Sequence, residues 1–175
     1  MHRPTDRLSC FLLAVVILGA APLWVENARS DDEGENGTAS SGELSGPLVV
    51  HKNPLCFCCK KWMAHLHRRG IETSTDNTTN MSRIKGQWAI PEGMHSCHTA
   101  VLNKKYVFEG HVPARFIRKY LSNPPEGSYG LTVPGMPEGS PGMYKGKDFE
   151  PYNIYLLMRG GDYRFYVRVE KPESR

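Results

Sequence analysis

The sequence places three cysteines where a strand gives way to a helix. The apolar run at residues 47–50 predicts a strand, and Cys56, Cys58 and Cys59 follow it. From Cys59 onward apolar residues recur at helical spacing and a glycine follows at the C-cap, so a helix is predicted over residues 59–69. At the start of a helix, free backbone N–H groups favour the thiolate. A thiolate is both the nucleophile of disulfide exchange and a soft metal ligand, so one of these two roles is expected.

The first 28 residues have the pattern of an export signal. Two arginines precede an uncharged apolar run over residues 11–25, which is short for a membrane span. We expect residues 1–28 to be a signal peptide, or an N-terminal anchor if that run is retained. The fifth cysteine, Cys10, belongs to this segment. Residues 29–46 are acidic and almost without apolar side chains, which predicts a disordered linker and leaves residues 47–175 as one domain.

The order of elements in this domain predicts an α/β fold. The expected order is β-α-β-α-β-β-α, followed by a long loop over residues 126–150 and a hairpin. This order is typical of a thioredoxin-like mixed sheet flanked by helices, here with an added C-terminal β-hairpin and a Pro/Gly/Met loop. After the first strand and helix, the strands are expected over 71–75, 99–102 and 106–112, the helices over 80–88 and 113–121, and the hairpin strands over 152–158 and 163–169.

Charge does not point to nucleic acid. Residues 47–175 contain 19 Lys and Arg and 11 Asp and Glu, a formal net charge of +8. These charges are scattered in pairs rather than gathered into a stripe, and the export signal argues against such a partner. A solvated basic surface is the expectation.

A second cluster, Cys97-His98, precedes the predicted third strand. In a thioredoxin-like sheet the first and third strands are neighbours, so this pair is expected within a few ångströms of the Cys56–Cys59 loop. A dithiol enzyme needs two sulfurs, so the additional thiols favour a metal site, and His98 is expected to be a ligand. By contrast, His65 and His67 lie on the polar side of the first helix, where solvation is expected.

The loop over residues 126–150 contains a repeated tripeptide. Pro134-Gly135-Met136 recurs as Pro141-Gly142-Met143, seven residues later. Thioethers are soft ligands that select Cu(I), and Pro and Gly disfavour a regular core element here. We expect Met136 and Met143 to fold over the thiols as further ligands, with packing on the first helix as the alternative.

Several motifs together resemble one family. They are Pro54 to Trp62, Ser96 to Ala100, Glu109 to Ala114, and Val133 to Met143 followed by Tyr152. In this order they are similar to the CopG-type proteins of bacterial copper resistance, long catalogued as a domain of unknown function. The resemblance implies a periplasmic, thioredoxin-like protein that binds copper and handles its redox state. It also implies His111 as a ligand. Phe57 departs from the family pattern, because a small residue is expected there.

Three alternatives to a copper site stay open at this point. Cys56 and Cys59 are spaced as the dithiol of a thiol-disulfide oxidoreductase. Zinc would accept Cys56, Cys58 or Cys59, Cys97 and His98 in a structural module. Four cysteines also permit two structural disulfides in three pairings, although bridging adjacent cysteines is geometrically unfavourable.

The leading hypothesis is an exported copper protein of copper resistance. It would bind Cu(I) and Cu(II), with more than one ion, and whether it is a copper oxidoreductase or a carrier is left open. Other periplasmic copper-export or copper-resistance proteins are the expected partners, with no nucleic acid and no membrane-embedded domain. The candidate ligands are Cys56, Cys58, Cys59, Cys97, His98, His111, Met136 and Met143.

Overall fold

The computed structural model describes residues 45–146 and 149–173. The expectations for residues 1–28, and for most of the linker at 29–46, concern residues outside this part. The elements in chain order are β1 (Leu48–Lys52), α1 (Phe57–His67), β2 (Thr73–Asn77), α2 (Met81–Gln87), a 3₁₀ turn (Glu92–Met94), β3 (His98–Leu102), β4 (Tyr106–Glu109), α3 (Ala114–Ser122), β5 (Ser128–Thr132), β6 (Tyr152–Met158) and β7 (Asp162–Val169). No helix in the described ranges is long and apolar enough to span a membrane.

The described strands form one mixed sheet in the order β2-β1-β3-β4-β5-β6-β7. The β1–β2 and β4–β5 pairs are parallel, and the other neighbours are antiparallel. The predicted α/β fold with a mixed sheet and a C-terminal hairpin is confirmed, as is the adjacency of β1 and β3. The likeness to thioredoxin stays a prediction.

The two faces of the sheet carry two hydrophobic clusters. Alternate residues of β3 and β4 face opposite ways, as the two-residue period of a strand requires. Ala100 and Phe108 pack with Trp62 of α1 and Ile117 of α3 in the larger cluster. Val101 and Val107 pack in the smaller one, with apolar residues that follow α2. Helices α1 and α3 therefore both rest on a packed core.

The prediction that residues 126–150 form one long loop is wrong, because β5 lies within this range. Every residue of Ser128–Thr132 is buried between β4 and β6, so no polar–apolar alternation marks the strand in the sequence. Gly130 is required there, since a Cβ at this position would collide with the backbone carbonyl of Val107. The remainder of the loop carries the repeated tripeptide.

Several boundaries differ from the predictions, and three of the differences concern the site. Helix α1 begins two residues early, because Cys56 caps it and accepts a hydrogen bond from the backbone N–H of Cys59. Strand β2 lies two residues later than expected. Strand β4 ends at Glu109, so His111 lies beyond the strand instead of within it.

The expectation that His65 is solvated is wrong. Its Nε2 lies 3.2 Å from the backbone nitrogen of Ala114 and 2.9 Å from a carboxylate oxygen of Glu173. The side chain is buried because α3 and the C-terminal segment pack over this side of α1. His67 is exposed, as expected, and hydrogen-bonds to the hydroxyl of Thr73 at 2.7 Å.

Candidate metal centre

The start of α1 carries one half of the site. Cys56 and Cys59 form a disulfide with 5.4 Å between their Cα atoms, whereas Cys58 is a free thiol. The Sγ atoms of Cys56 and Cys58 lie 3.4 Å apart. Phe57, between them, is 71% exposed. The departure from the family pattern thus places an aromatic ring in solvent beside the disulfide.

Strand β3 brings the second cluster to the first. Lys52 at the end of β1 pairs with His98, so Cys97 lies beside the loop that leads into α1. Its Sγ is 3.6 Å from Sγ of Cys59 and 3.8 Å from Sγ of Cys58. All four sulfur atoms lie within 4.8 Å of one another. We call Cys56, Cys58, Cys59 and Cys97 the thiol cluster; its predicted convergence is confirmed, and the ligand roles stay a prediction.

Two fully buried histidines extend the cluster inward. The Sγ of Cys97 is 3.3 Å from Nδ1 of His98 and 3.1 Å from Nε2 of His111. Nδ1 of His111 lies 2.7 Å from the carbonyl oxygen of Pro141. A carbonyl only accepts, so Nδ1 carries the proton and Nε2 turns its lone pair toward Cys97. The ring of His98 packs between those of Trp62 and His111, with centroids 4.3 Å and 5.1 Å away.

Burial sets the protonation states of Cys97, His98 and His111. It raises the pKa of the Cys97 thiol to about 12, and the neighbouring Cys58 acts in the same direction. Burial lowers the pKa of His98 well below its ordinary value, with further contributions from His111 and Lys85, and burial also lowers the pKa of His111. Both imidazoles are therefore neutral donors at neutral pH, and Cys97 keeps its proton until a cation displaces it.

A buried ion pair behind Cys97 was not found from the sequence. The fully buried carboxylate of Glu109 accepts hydrogen bonds from the backbone N–H of Ser96 and the hydroxyl of Thr99, both at 2.6 Å, and pairs with the ammonium of Lys85. These contacts fix the peptide that precedes Cys97. The sequence does contain a signal for this ion pair. Glu109 is a charged residue in an otherwise apolar strand, and Lys85 follows the apolar Ile84 on α2.

The two methionine turns pack against residues that flank the thiol cluster in the sequence. Ser96 donates to the carbonyl of Gly135, and the N–H of Gly135 donates to the carbonyl of His95 at 2.9 Å. At the second turn, a Cβ on Gly142 would lie 2.9 Å from the Cys58 carbonyl oxygen, so this turn packs on the start of α1. Met136 is 51% exposed and Met143 is half-buried. The loop lies over the site as expected, and ligation by the two methionines stays a prediction.

The donor set fits a soft metal ion. Four sulfur atoms and two imidazole groups within a few ångströms suit Cu(I), and imidazole also suits Cu(II). Nδ1 of His98 and Nε2 of His111 both face the sulfur of Cys97, so these three residues direct their donor atoms to one point. Zinc takes the same donors.

Comparison with known proteins identifies the family. Residues 94–143 match the family described as "Protein of unknown function, DUF411". A solved structure titled "Copper resistance protein copG- Form 1" has 35% identity and a TM-score of 0.65, covering 73% of this chain and 98% of its own. "Copper resistance protein copG- Form 2" has 36% identity and the same TM-score of 0.65, covering 71% of this chain and 100% of its own. No curated protein gives a significant match. The chain belongs to the CopG copper-resistance family.

Proposed function

We propose that this protein is an exported copper-binding protein of copper resistance, with the thiol cluster, His98 and His111 as its metal site. The observation that carries the proposal is the convergence of two distant sequence clusters, with all four sulfur atoms within 4.8 Å of one another. The titles of the solved relatives, which name copper resistance, support copper as the cargo.

The number of donors supports more than one copper ion. Cu(I) is satisfied by two to four soft ligands, and six candidate donors converge here before either methionine is counted. Cys97 lies close both to the other thiols and to the histidines. Its sulfur is 3.8 Å from the sulfur of Cys58 and 3.1 Å from Nε2 of His111. It is therefore the natural bridging ligand, while Met136 and Met143 would add thioether donors at the exposed side.

The disulfide supports a redox role. Reduction of the Cys56–Cys59 bond takes two electrons, which two Cu(I) ions supply by becoming Cu(II). The S–S bond breaks, and two thiolates form beside Cys58 and Cys97. Imidazole from His98 and His111 would then retain the oxidised metal, since nitrogen donors suit Cu(II). The chain would thus exchange electrons between thiols and copper.

The proposed setting is the periplasm. Residues 1–28 would direct export or anchor the chain, and residues 29–46 would tether the domain. Free thiols are readily oxidised in such a compartment, which accords with the closed Cys56–Cys59 bond. Periplasmic copper-export and copper-resistance proteins are the proposed donors and acceptors.

Metal competition tests the proposal. The reduced protein is loaded with Cu(I) anaerobically and challenged with a tenfold excess of Zn(II), while copper per chain and free thiols are counted. We expect copper to be retained, because thiolate donors are soft. Displacement of copper by zinc would contradict the proposal and favour a zinc module.

The closed disulfide also supports a second candidate, a thiol-disulfide oxidoreductase. Cys58→Ser separates the two functions, because it leaves Cys56 and Cys59 in place for exchange. As a copper protein, the variant should lose copper while any reduction of a test disulfide is unchanged. Full copper loading in the variant, together with rapid disulfide reduction by the wild type, would make the oxidoreductase the better account.

A further inference from the structure

A basic cleft lies at the end of the sheet away from the thiol cluster. It has a volume of about 390 Å³, and its walls include Trp88, Lys104, Lys105, Tyr129 and Arg159. These residues come from the end of α2, the β3–β4 turn, β5 and the β6–β7 turn. Strand β3 runs from the thiol cluster to this cleft, and five residues of strand span about 16 Å. The cleft is therefore separate from the metal centre.

The charge of the cleft suits an anion with an apolar neighbour. Lys104 and Arg159 have no ion-pair partner in the described ranges, and the ammonium of Lys105 lies 4.5 Å from the centre of the Tyr106 ring. The nearest carboxylate in the sequence, Asp162, accepts a hydrogen bond from the N–H of the next residue at 2.7 Å. Trp88 is half-buried and lines the cleft together with these cations.

Backbone strain is concentrated at the same place. Within the described residues, the non-glycine residues with positive φ are Ala89 at 48°, Asn103 at 51° and Lys104 at 52°. Ala89 and Lys104 both line the cleft. Two consecutive left-handed residues form the tight β3–β4 turn, where glycine is favoured at the second position. A lysine there costs free energy and holds an ammonium group at the tip of the turn.

The end of the domain that contains the cleft also carries exposed aromatic rings, and the polypeptide enters the domain there. Tyr163 and Phe165 are 45% and 60% exposed, on the strand that follows the β6–β7 turn. A Cβ at Gly46 would lie 3.7 Å from the side-chain oxygen of Asn103, so the polypeptide enters the domain beside the β3–β4 turn. Cations interleaved with accessible Trp and Tyr rings are typical of surfaces that lie at a membrane interface.

We propose that this end of the domain binds the phosphate headgroups of anionic phospholipids. Lys104 and Arg159 contact the phosphate, and Trp88, Tyr163 and Phe165 lie at the level of the headgroups. The thiol cluster, at the other end of β3, then faces away from the membrane and toward soluble partners. This inference does not depend on which metal the protein binds.

Vesicle binding tests the proposal with residues 45–175. Both hydrophobic clusters lie in this part, and the solved relatives consist almost wholly of the matched region, so it folds without the N-terminal segment. Flotation compares vesicles of 30% phosphatidylglycerol in phosphatidylcholine with pure phosphatidylcholine. The double variant Lys104→Gln/Arg159→Gln should bind anionic vesicles about 30-fold more weakly, since each cation near such a surface contributes about fivefold. The matched control is Lys60→Gln/Lys61→Gln, which removes the same charge at the other end and should bind as the wild type does.

Tryptophan quenching provides the second readout. Brominated phosphatidylglycerol should quench Trp88 and leave the fully buried Trp62 unaffected, and Trp88→Phe should abolish the quenching. Equal loss of binding in both double variants would overturn the proposal, because it would show attraction by net charge alone. Displacement from the vesicles by millimolar inorganic phosphate at constant ionic strength would also overturn it, because the cleft would then be a site for free phosphate.

Discussion

The two halves of the metal centre are built in different ways. At the start of α1, Cys56 and Cys58 are half-buried and Cys59 is buried. A disulfide joins Cys56 to Cys59, and an exposed phenylalanine lies between Cys56 and Cys58. In the other half, His98 at the start of β3 and His111 after β4 are fully buried, and hydrogen bonds to Glu109 and Pro141 hold the surrounding groups. The first half contains a disulfide, a bond that reduction opens, whereas the second is prearranged by these hydrogen bonds.

This difference assigns separate tasks to the two halves. A prearranged imidazole pair favours retention of a metal, because its donors lose little freedom on binding. The disulfide sets how many thiolates the first half can offer, and its Cys56 side is partly exposed. Cys97 belongs to both, since its sulfur contacts the thiols on one side and the imidazoles on the other.

The largest expected effect concerns the ion pair that supports the buried half. Glu109→Ala leaves the ammonium of Lys85 buried without its partner, and we expect the free energy of unfolding to fall by about 3–5 kcal/mol. The matched control is Glu170→Ala, which breaks an exposed pair with Arg168 and should cost at most about 1 kcal/mol. Urea unfolding of both variants measures the difference. Equal losses would mean that the Lys85–Glu109 pair does not support the site.

Cys97→Ala should have the next largest effect. The variant should fold, because the thiol is only partly buried. Its copper affinity should fall by at least about 100-fold, which is more than the usual loss when a group that hydrogen-bonds to a metal ligand is removed. His98→Ala should act mainly on Cu(II), for which imidazole is the better donor. His95→Ala is the control, since this half-buried histidine hydrogen-bonds to the carbonyl of Ile90. Unchanged copper affinity in Cys97→Ala would confine the site to the start of α1.

Sequence reasoning located the exposed half more completely than the buried half. The cysteine cluster and the helix after it are local features, and the strand–helix order placed Cys97 and His98 correctly. The hydrogen bond of His111 to Pro141 spans thirty residues, and the pairing of Lys85 with Glu109 joins α2 to β4. Strand β5 was missed because a strand buried on both faces has no alternating pattern. Such contacts depend on tertiary packing, which a single sequence does not display.

The smallest effect is expected from the two methionines. Met136→Leu and Met143→Leu preserve side-chain volume, so stability should change by less than about 1.5 kcal/mol. Retention of Cu(I) should weaken by up to about tenfold, with Cu(II) unaffected, because only the soft thioether is lost. Met158→Leu, in the main hydrophobic cluster, is the control. Dialysis against a Cu(I) chelator measures retention, and wild-type retention in both variants would remove the methionines from the site.

The central claim is that both halves contribute ligands to the bound copper. Extended X-ray absorption at the copper edge of the reduced, Cu(I)-loaded protein tests it most directly. We predict sulfur neighbours together with imidazole nitrogen, and loss of the nitrogen signal with retention of sulfur in the double variant His98→Ala/His111→Ala. A spectrum of sulfur alone in the wild type, or one that the double variant leaves unchanged, would contradict the account.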